Sequence, residues 1–233
     1  MVNQFTINVV NNSGSQQNYA FFTEIPKITG KVQNKIWQNV FVNKGAADSQ
    51  TVSVNIFERK SLHFPVSRSL SSQGTPADGV TVSVAGMAPV TLGIQNADGT
   101  QVPGTTLPFT VVDQVPQFGP KTADSSFVNA FEIDTDGSFT TKDAQNNHYV
   151  VGLGGSAGGG KTGPTVTFVP EPHVQYQIQP TNTYWVTFGD YTPGNIIDVT
   201  KIGMKVSVDF TKLPNNVTIK HDEHGNLTVQ KSS

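Results

Sequence analysis

The stretch Gly155-Ser156-Ala157-Gly158-Gly159-Gly160-Lys161-Thr162 matches the phosphate-loop pattern G-x-x-x-x-G-K-[ST] residue for residue. Such a loop works when its glycines free backbone N–H groups and a following helix aims its N-terminus at the phosphate. Here Gly163-Pro164-Thr165-Val166-Thr167-Phe168-Val169-Pro170 follows, a turn and a strand bracketed by prolines, with no room for a helix. The match therefore reads as a glycine-rich hairpin loop, and no nucleotide cofactor is expected.

Asp134-Thr135-Asp136-Gly137 opens like a calcium loop, but the twelfth position, where a bidentate Glu belongs, is Gln145. The flanks Phe131-Glu132-Ile133 and Ser138-Phe139-Thr140 read as strands, so a hairpin turn is expected. Asp134, Asp136 and Asp143 are the only candidates for a weakly held ion, and no resident metal is predicted. His221 and His224 lie three apart around a predicted turn. On a helix that spacing could share one metal; in a hairpin it reads as a solvated turn. Glu171, His173 and Asp190 form a scattered acid–base set for an enzyme reading, with no nucleophile or metalloprotease motif beside it.

A different chemistry is suggested by His173 to Tyr191. Alternation places Val174, Tyr176 and Ile178 on a core face and Gln175 and Gln177 on the other. In the next strand Tyr184, Val186 and Phe188 point inward, leaving Trp185 and Thr187 outside. If the two strands pair through Gln179-Pro180-Thr181-Asn182, Trp185 stands among glutamines. A flat ring surrounded by neutral amides can cover the C–H face of a sugar while the amides bond its hydroxyls. Gln175, Gln177, Trp185 and Thr187 are therefore the candidate ligand-binding residues, and a neutral glycan or other small neutral ligand is the candidate partner. The competing reading is that a loop or a second subunit covers Trp185.

The elements that must position these groups are strands. Phe5/Ile7/Val9, Val52/Val54/Ile56, Val80/Val82/Val84 and Val206/Val208/Phe210 each alternate with polar residues, the pattern of strands with one buried face. Asn96 to Thr100, Asp134 to Ser138 and Asp222 to Asn226 carry the Asp and Gly residues of tight turns. Fourteen Pro and 22 Gly leave few helix-length windows, so helix should be scarce. Trp37, in a run apolar on both faces, reads as part of a covered central strand. The prediction is an all-β antiparallel sandwich resembling a jelly roll, spanning 1–233 as one domain, with 69–79 as the one candidate internal boundary.

Composition limits the partners. Asn, Gln, Ser and Thr number 18, 16, 17 and 26, while charged residues make up only 14% of the 233. The surface must be wetted by amides and hydroxyls rather than ions. With 15 basic and 17 acidic residues the net charge is -2, which gives no field to attract nucleic acid or an anionic membrane. No Cys is present, so disulfides and thiolate chemistry are excluded. No apolar run approaches the roughly 20 residues of a membrane span. Met1 to Val10 alternates and carries no basic side chain, so it reads as a strand, not a signal peptide, and a cytoplasmic location is expected. The leading functional expectation is a non-catalytic soluble binding or assembly protein. The alternatives are the scattered-residue enzyme and a self-associating or membrane-active β protein whose exposed strand edges pair between copies.

Overall fold

The computed structural model describes residues 3–32, 35–58, 62–69, 81–157 and 161–230. Nearly all regular structure is β, as the alternation predicts, and three curled sheets carry most of it. A long ten-stranded sheet runs Ile196–Ile197, Trp37–Asn39, Lys161–Phe168, Tyr149–Ala157, Thr51–Glu58, Asn3–Asn11, Asn216–His221, Leu227–Gln230. Leu62–Ser69 also pairs with Tyr149–Ala157, and Val82–Val90 pairs with Leu62–Ser69. A six-stranded sheet packs over one end of this backing sheet and a four-stranded sheet over the other.

Two main cores result. Leu107, Phe109, Phe131, Ile133, Tyr176 and Ile178 of the six-stranded sheet meet Tyr149, Val151, Leu153, Val166 and Phe168 of the long one. Tyr19, Phe21, Tyr184, Val186 and Val208 of the four-stranded sheet meet Phe5, Ile7, Val9, Val54, Ile56 and Ile219. The period-two pattern explains the second core directly. Ile7 lies opposite both Val54 and Val217, and Val9 opposite both Val52 and Ile219, so one face of three adjacent strands is apolar throughout.

The four-stranded sheet is wholly antiparallel, as predicted, whereas the two larger sheets each contain one parallel pair. Asn3–Asn11 runs parallel to Asn216–His221, and Gly104–Val112 runs parallel to Phe131–Thr135. Side-chain alternation is the same in either direction, so the pattern carries no information about direction. One helix, Thr141–Asn146, lies among the described residues. It starts where a strand was predicted to end, because Thr140 and Asp143 form a reciprocal capping box and Ala144 buries its methyl. Four turns share one local device. Asp98, Asp136, Asp198 and Asp209 each accept, through Oδ1, the backbone N–H and the hydroxyl of a Thr or Ser two residues on. Trp37 is buried in a covered strand, as expected. The candidate boundary 69–79 lies, beyond Ser69, outside the described residues, as do Gly158 to Gly160 of the phosphate-loop match.

Candidate functional site

The two strands expected to form the Trp/Gln hairpin do not pair. Gln175–Gln179 lies in the six-stranded sheet between Phe131–Thr135 and Lys27–Thr29. Thr183–Phe188 lies in the four-stranded sheet between Gln17–Thr23 and Lys205–Asp209. The predicted inward and outward faces hold, but Gln175 and Gln177 stand on a different sheet from Trp185 and Thr187. Gln175 is exposed and donates through Nε2 to the buried Glu132 at 3.0 Å, a carboxyl that Thr106 also approaches. Burial raises the pKa of Glu132, partly offset by those two donors. Trp185 is half-buried and, with Tyr191 and Val199, packs against a small third cluster of Ala20, Phe22, Val40, Ile197 and Ile202. The Lys205 ammonium stands 5.9 Å from the centre of its ring. Thr187 is buried and its hydroxyl donates to the Met204 carbonyl at 2.6 Å. The segment 191–204 thus covers this outer face.

The acid–base set is also divided. Glu171 is buried, its Oε2 accepting the Thr141 hydroxyl at 2.5 Å, and His173 follows it in an exposed left-handed turn. Asp190 follows a strand of the four-stranded sheet, exposed and bonded to the Asn18 amide of that sheet. Asp136 and Asp143 are committed to Ser138 and to the helix cap. Among the described residues no group of three His, Cys, Asp or Glu could hold a metal ion. Likewise no helix there is long and apolar enough to cross a membrane.

His221 differs from the solvated turn expected of it. It ends a strand, is 1% exposed, lies against Phe188 at 4.3 Å, and shares a 2.9 Å hydrogen bond through Nδ1 with the Tyr19 hydroxyl. Burial lowers its pKa from 6.5, with Asp222 opposing weakly. The unfolded chain therefore takes up the proton first. The stability this ring contributes is complete above the unfolded value and is lost as pH falls from 6.5 toward the depressed folded value. We expect urea melts to show falling stability across that window, and His221→Gln to flatten this limb. An identical acid limb in the variant would show that another group controls it.

The described surface gathers polar groups, mostly neutral but with Glu24 and Asp209 among them, in one large concavity, a cleft of about 520 Å³ between the two cores. It exists because Gln179 to Thr183 is not a hairpin turn. The chain leaves the six-stranded sheet at Gln179, passes Pro180, Thr181 and Asn182, and enters the four-stranded sheet at Thr183. This crossing forms one wall. The facing wall is Leu153 to Ser156 of the long sheet with Thr165 beside it. There the pairing shifts register between Leu153 and Gly154, where Pro164 is the partner and can donate no N–H. The Leu153 carbonyl instead accepts the Thr165 hydroxyl at 3.0 Å. Phe41, Ile56, Leu92 and Tyr184 supply the apolar lining.

Two threonines of this lining carry a buried hydroxyl that has no partner. Thr23 is only 7% exposed, its Oγ1 is buried and unbonded, and the same holds for Oγ1 of the half-buried Thr181. A buried hydroxyl without a partner is destabilising, and such groups collect where something else must bond them. Neither threonine is among the residues that the sequence singles out. The signals that point here are the paired glycines 154 and 155 inside a strand with Pro164 opposite, which mark a bulge. A protein-family model described as RhiA matches residues 2–232 of the chain. No curated protein and no solved structure matches it.

Proposed function

The chain belongs to the RhiA family, and we propose that it is a non-catalytic binding protein whose cleft takes a small polyhydroxylated ligand such as a sugar. The observation that carries this reading is the pair of threonines, Thr23 and Thr181, each with a buried hydroxyl that has no partner, on a concave lining that is apolar and neutral-polar apart from Glu24 and Asp209. A volume of about 520 Å³ suits a compact polar molecule with one apolar face. Tyr184 and Phe41 offer that face, and the threonines offer hydrogen bonds that desolvation makes selective for a hydroxyl over hydrogen. The sugar is assigned to this cleft and not to the Trp185 surface, because segment 191–204 packs there.

The test separates binding from folding. Thr23→Val keeps the shape and removes a hydroxyl that lacks a partner in the free protein. Its thermal midpoint should hold or rise, while hexose affinity measured by calorimetry or NMR titration should fall about fivefold, the worth of roughly 1 kcal/mol. Trp185→Ala should do the reverse, lowering the midpoint and leaving affinity unchanged. If Thr23→Val lowers the midpoint by several degrees and changes no affinity, the hydroxyl serves the fold and the cleft is not the site.

A further inference from the structure

A second, smaller hollow of about 130 Å³ adjoins the cleft on the outer face of the six-stranded sheet. Its floor follows from the register. Thr29 lies opposite Gln177 and Lys27 opposite Gln179, so all four side chains leave the sheet on the side away from Ile28 and Ile178, which face the first core. Phe127 and Val128, both half-buried, form the wall just before the strand Phe131–Thr135. The polar groups of this floor are unspent. Gln175, next along the same face, donates to Glu132, whereas the side chains of Lys27, Thr29, Gln177 and Gln179 make no hydrogen bond or ion pair among the described residues. A ring beside free amides and a hydroxyl can cover the C–H face of a sugar while its hydroxyls are bonded.

Three chain segments run from the cleft into this hollow. Glu24 lines the first and Lys27 the second; Asn129 lines the first, Val128 and Ala130 the second; Gln179 lines both, with Gln177 beyond it. Between Glu24 and Lys27 the apolar Ile25 is 39% exposed. Gln177 lies two residues, roughly 7 Å, along the strand from Gln179, so a ligand that touches both hollows is longer than one sugar ring. Lys27 offsets Glu24, and Asp209 is paired with Lys212 at 2.8 Å, so the described groups leave no net charge to select an ionic sugar. Resting on the cleft being a sugar site, we infer that the two hollows form one groove and that its ligand is a neutral oligosaccharide chain, one ring in the cleft and the next against Phe127, with Gln177, Gln179 and Thr29 meeting its hydroxyls.

The test is calorimetric titration of the 233-residue chain with glucose, cellotriose and maltotriose, the two trioses carrying the same ring in opposite anomeric linkage. One triose should bind about tenfold tighter than glucose, the worth of one ring contact and one hydrogen bond. Phe127→Ala should bring that triose down to the level of glucose, and Gln177→Ala should weaken it about fivefold, with glucose unchanged in both variants. Gln177→Ala removes an amide that bonds nothing in the free protein, so its thermal midpoint should hold, and it carries the test if Phe127→Ala melts early. Trioses that bind no tighter than glucose overturn the extended groove and leave the cleft reading standing. A triose preference that survives both substitutions puts the further ring elsewhere and overturns this assignment. Binding of none of the three overturns both readings together.

Discussion

Gly152→Ala is expected to be among the most damaging single-atom additions to this chain, lowering stability by more than about 3 kcal/mol in urea melts. A Cβ at Gly152 would lie 1.9 Å from the Val166 carbonyl oxygen and 2.8 Å from its carbon. Both are backbone of the neighbouring strand, so no side chain can rotate away. The two strands must separate, and they are the pair whose side chains Val151, Leu153, Val166 and Phe168 fill the first core. Gly163→Ala is the control. It lies in the same strand pair, and its Cβ would meet only the Phe41 carbonyl oxygen at 3.8 Å, an ordinary contact. Its change should stay within about 1 kcal/mol. If both variants melt alike, the close approach at Gly152 relaxes at little cost and the pairing there is looser than described.

Tyr176→Asp should leave the chain unfolded at room temperature. Tyr176 has no exposed surface, packs edge-on to Phe168 at 5.0 Å, accepts the Glu171 N–H at 2.8 Å and donates to the Lys31 carbonyl at 3.2 Å. Burial pushes its own pKa up to about 12, so the ring is neutral and stays so across the working range. Losing the ring alone costs about 3–5 kcal/mol, and the new carboxylate would be buried beside Glu171 without a cation. That sum is comparable with the whole stability of a typical domain. Gln175→Asp, one residue away, should cost about 1 kcal/mol, the loss of its hydrogen bond to Glu132, because the side chain is exposed. Circular dichroism melts decide the matter. If Gln175→Asp proves the worse variant, the assignment of faces along this strand is inverted.

Which side of each strand is buried is legible in the order of the amino acids alone. Phe5, Ile7, Val9, Tyr176, Ile178, Tyr184 and Val186 all lie where alternation puts them, because a strand sends successive side chains to opposite faces whatever it pairs with. The turns at 96–100 and 222–226 are legible for a similar local reason. Asp98 and Asp222 bond backbone N–H groups within four residues, and Gly99 and Gly225 adopt the positive φ that such turns need. Apart from the short helix at Thr141–Asn146, the expectations that fail concern which element lies beside which. Gln179 to Thr183 has the composition of a hairpin turn, yet it carries the chain from one sheet to another, and only the partners of each strand decide between these. Those partners are remote: Phe131–Thr135 for one strand, Gln17–Thr23 for the other. His221 reads as part of a solvated turn because its neighbours Asp222 and Glu223 are polar, but Tyr19 and Phe188 arrive from the four-stranded sheet to cover it. The cleft has the same origin. Thr23, Thr181 and Thr165 are ordinary threonines among 26, and nothing local marks them. They share a lining because two sheets pack on one long backing sheet and leave a gap at the crossing, a property of strand pairing between residues more than a hundred positions apart.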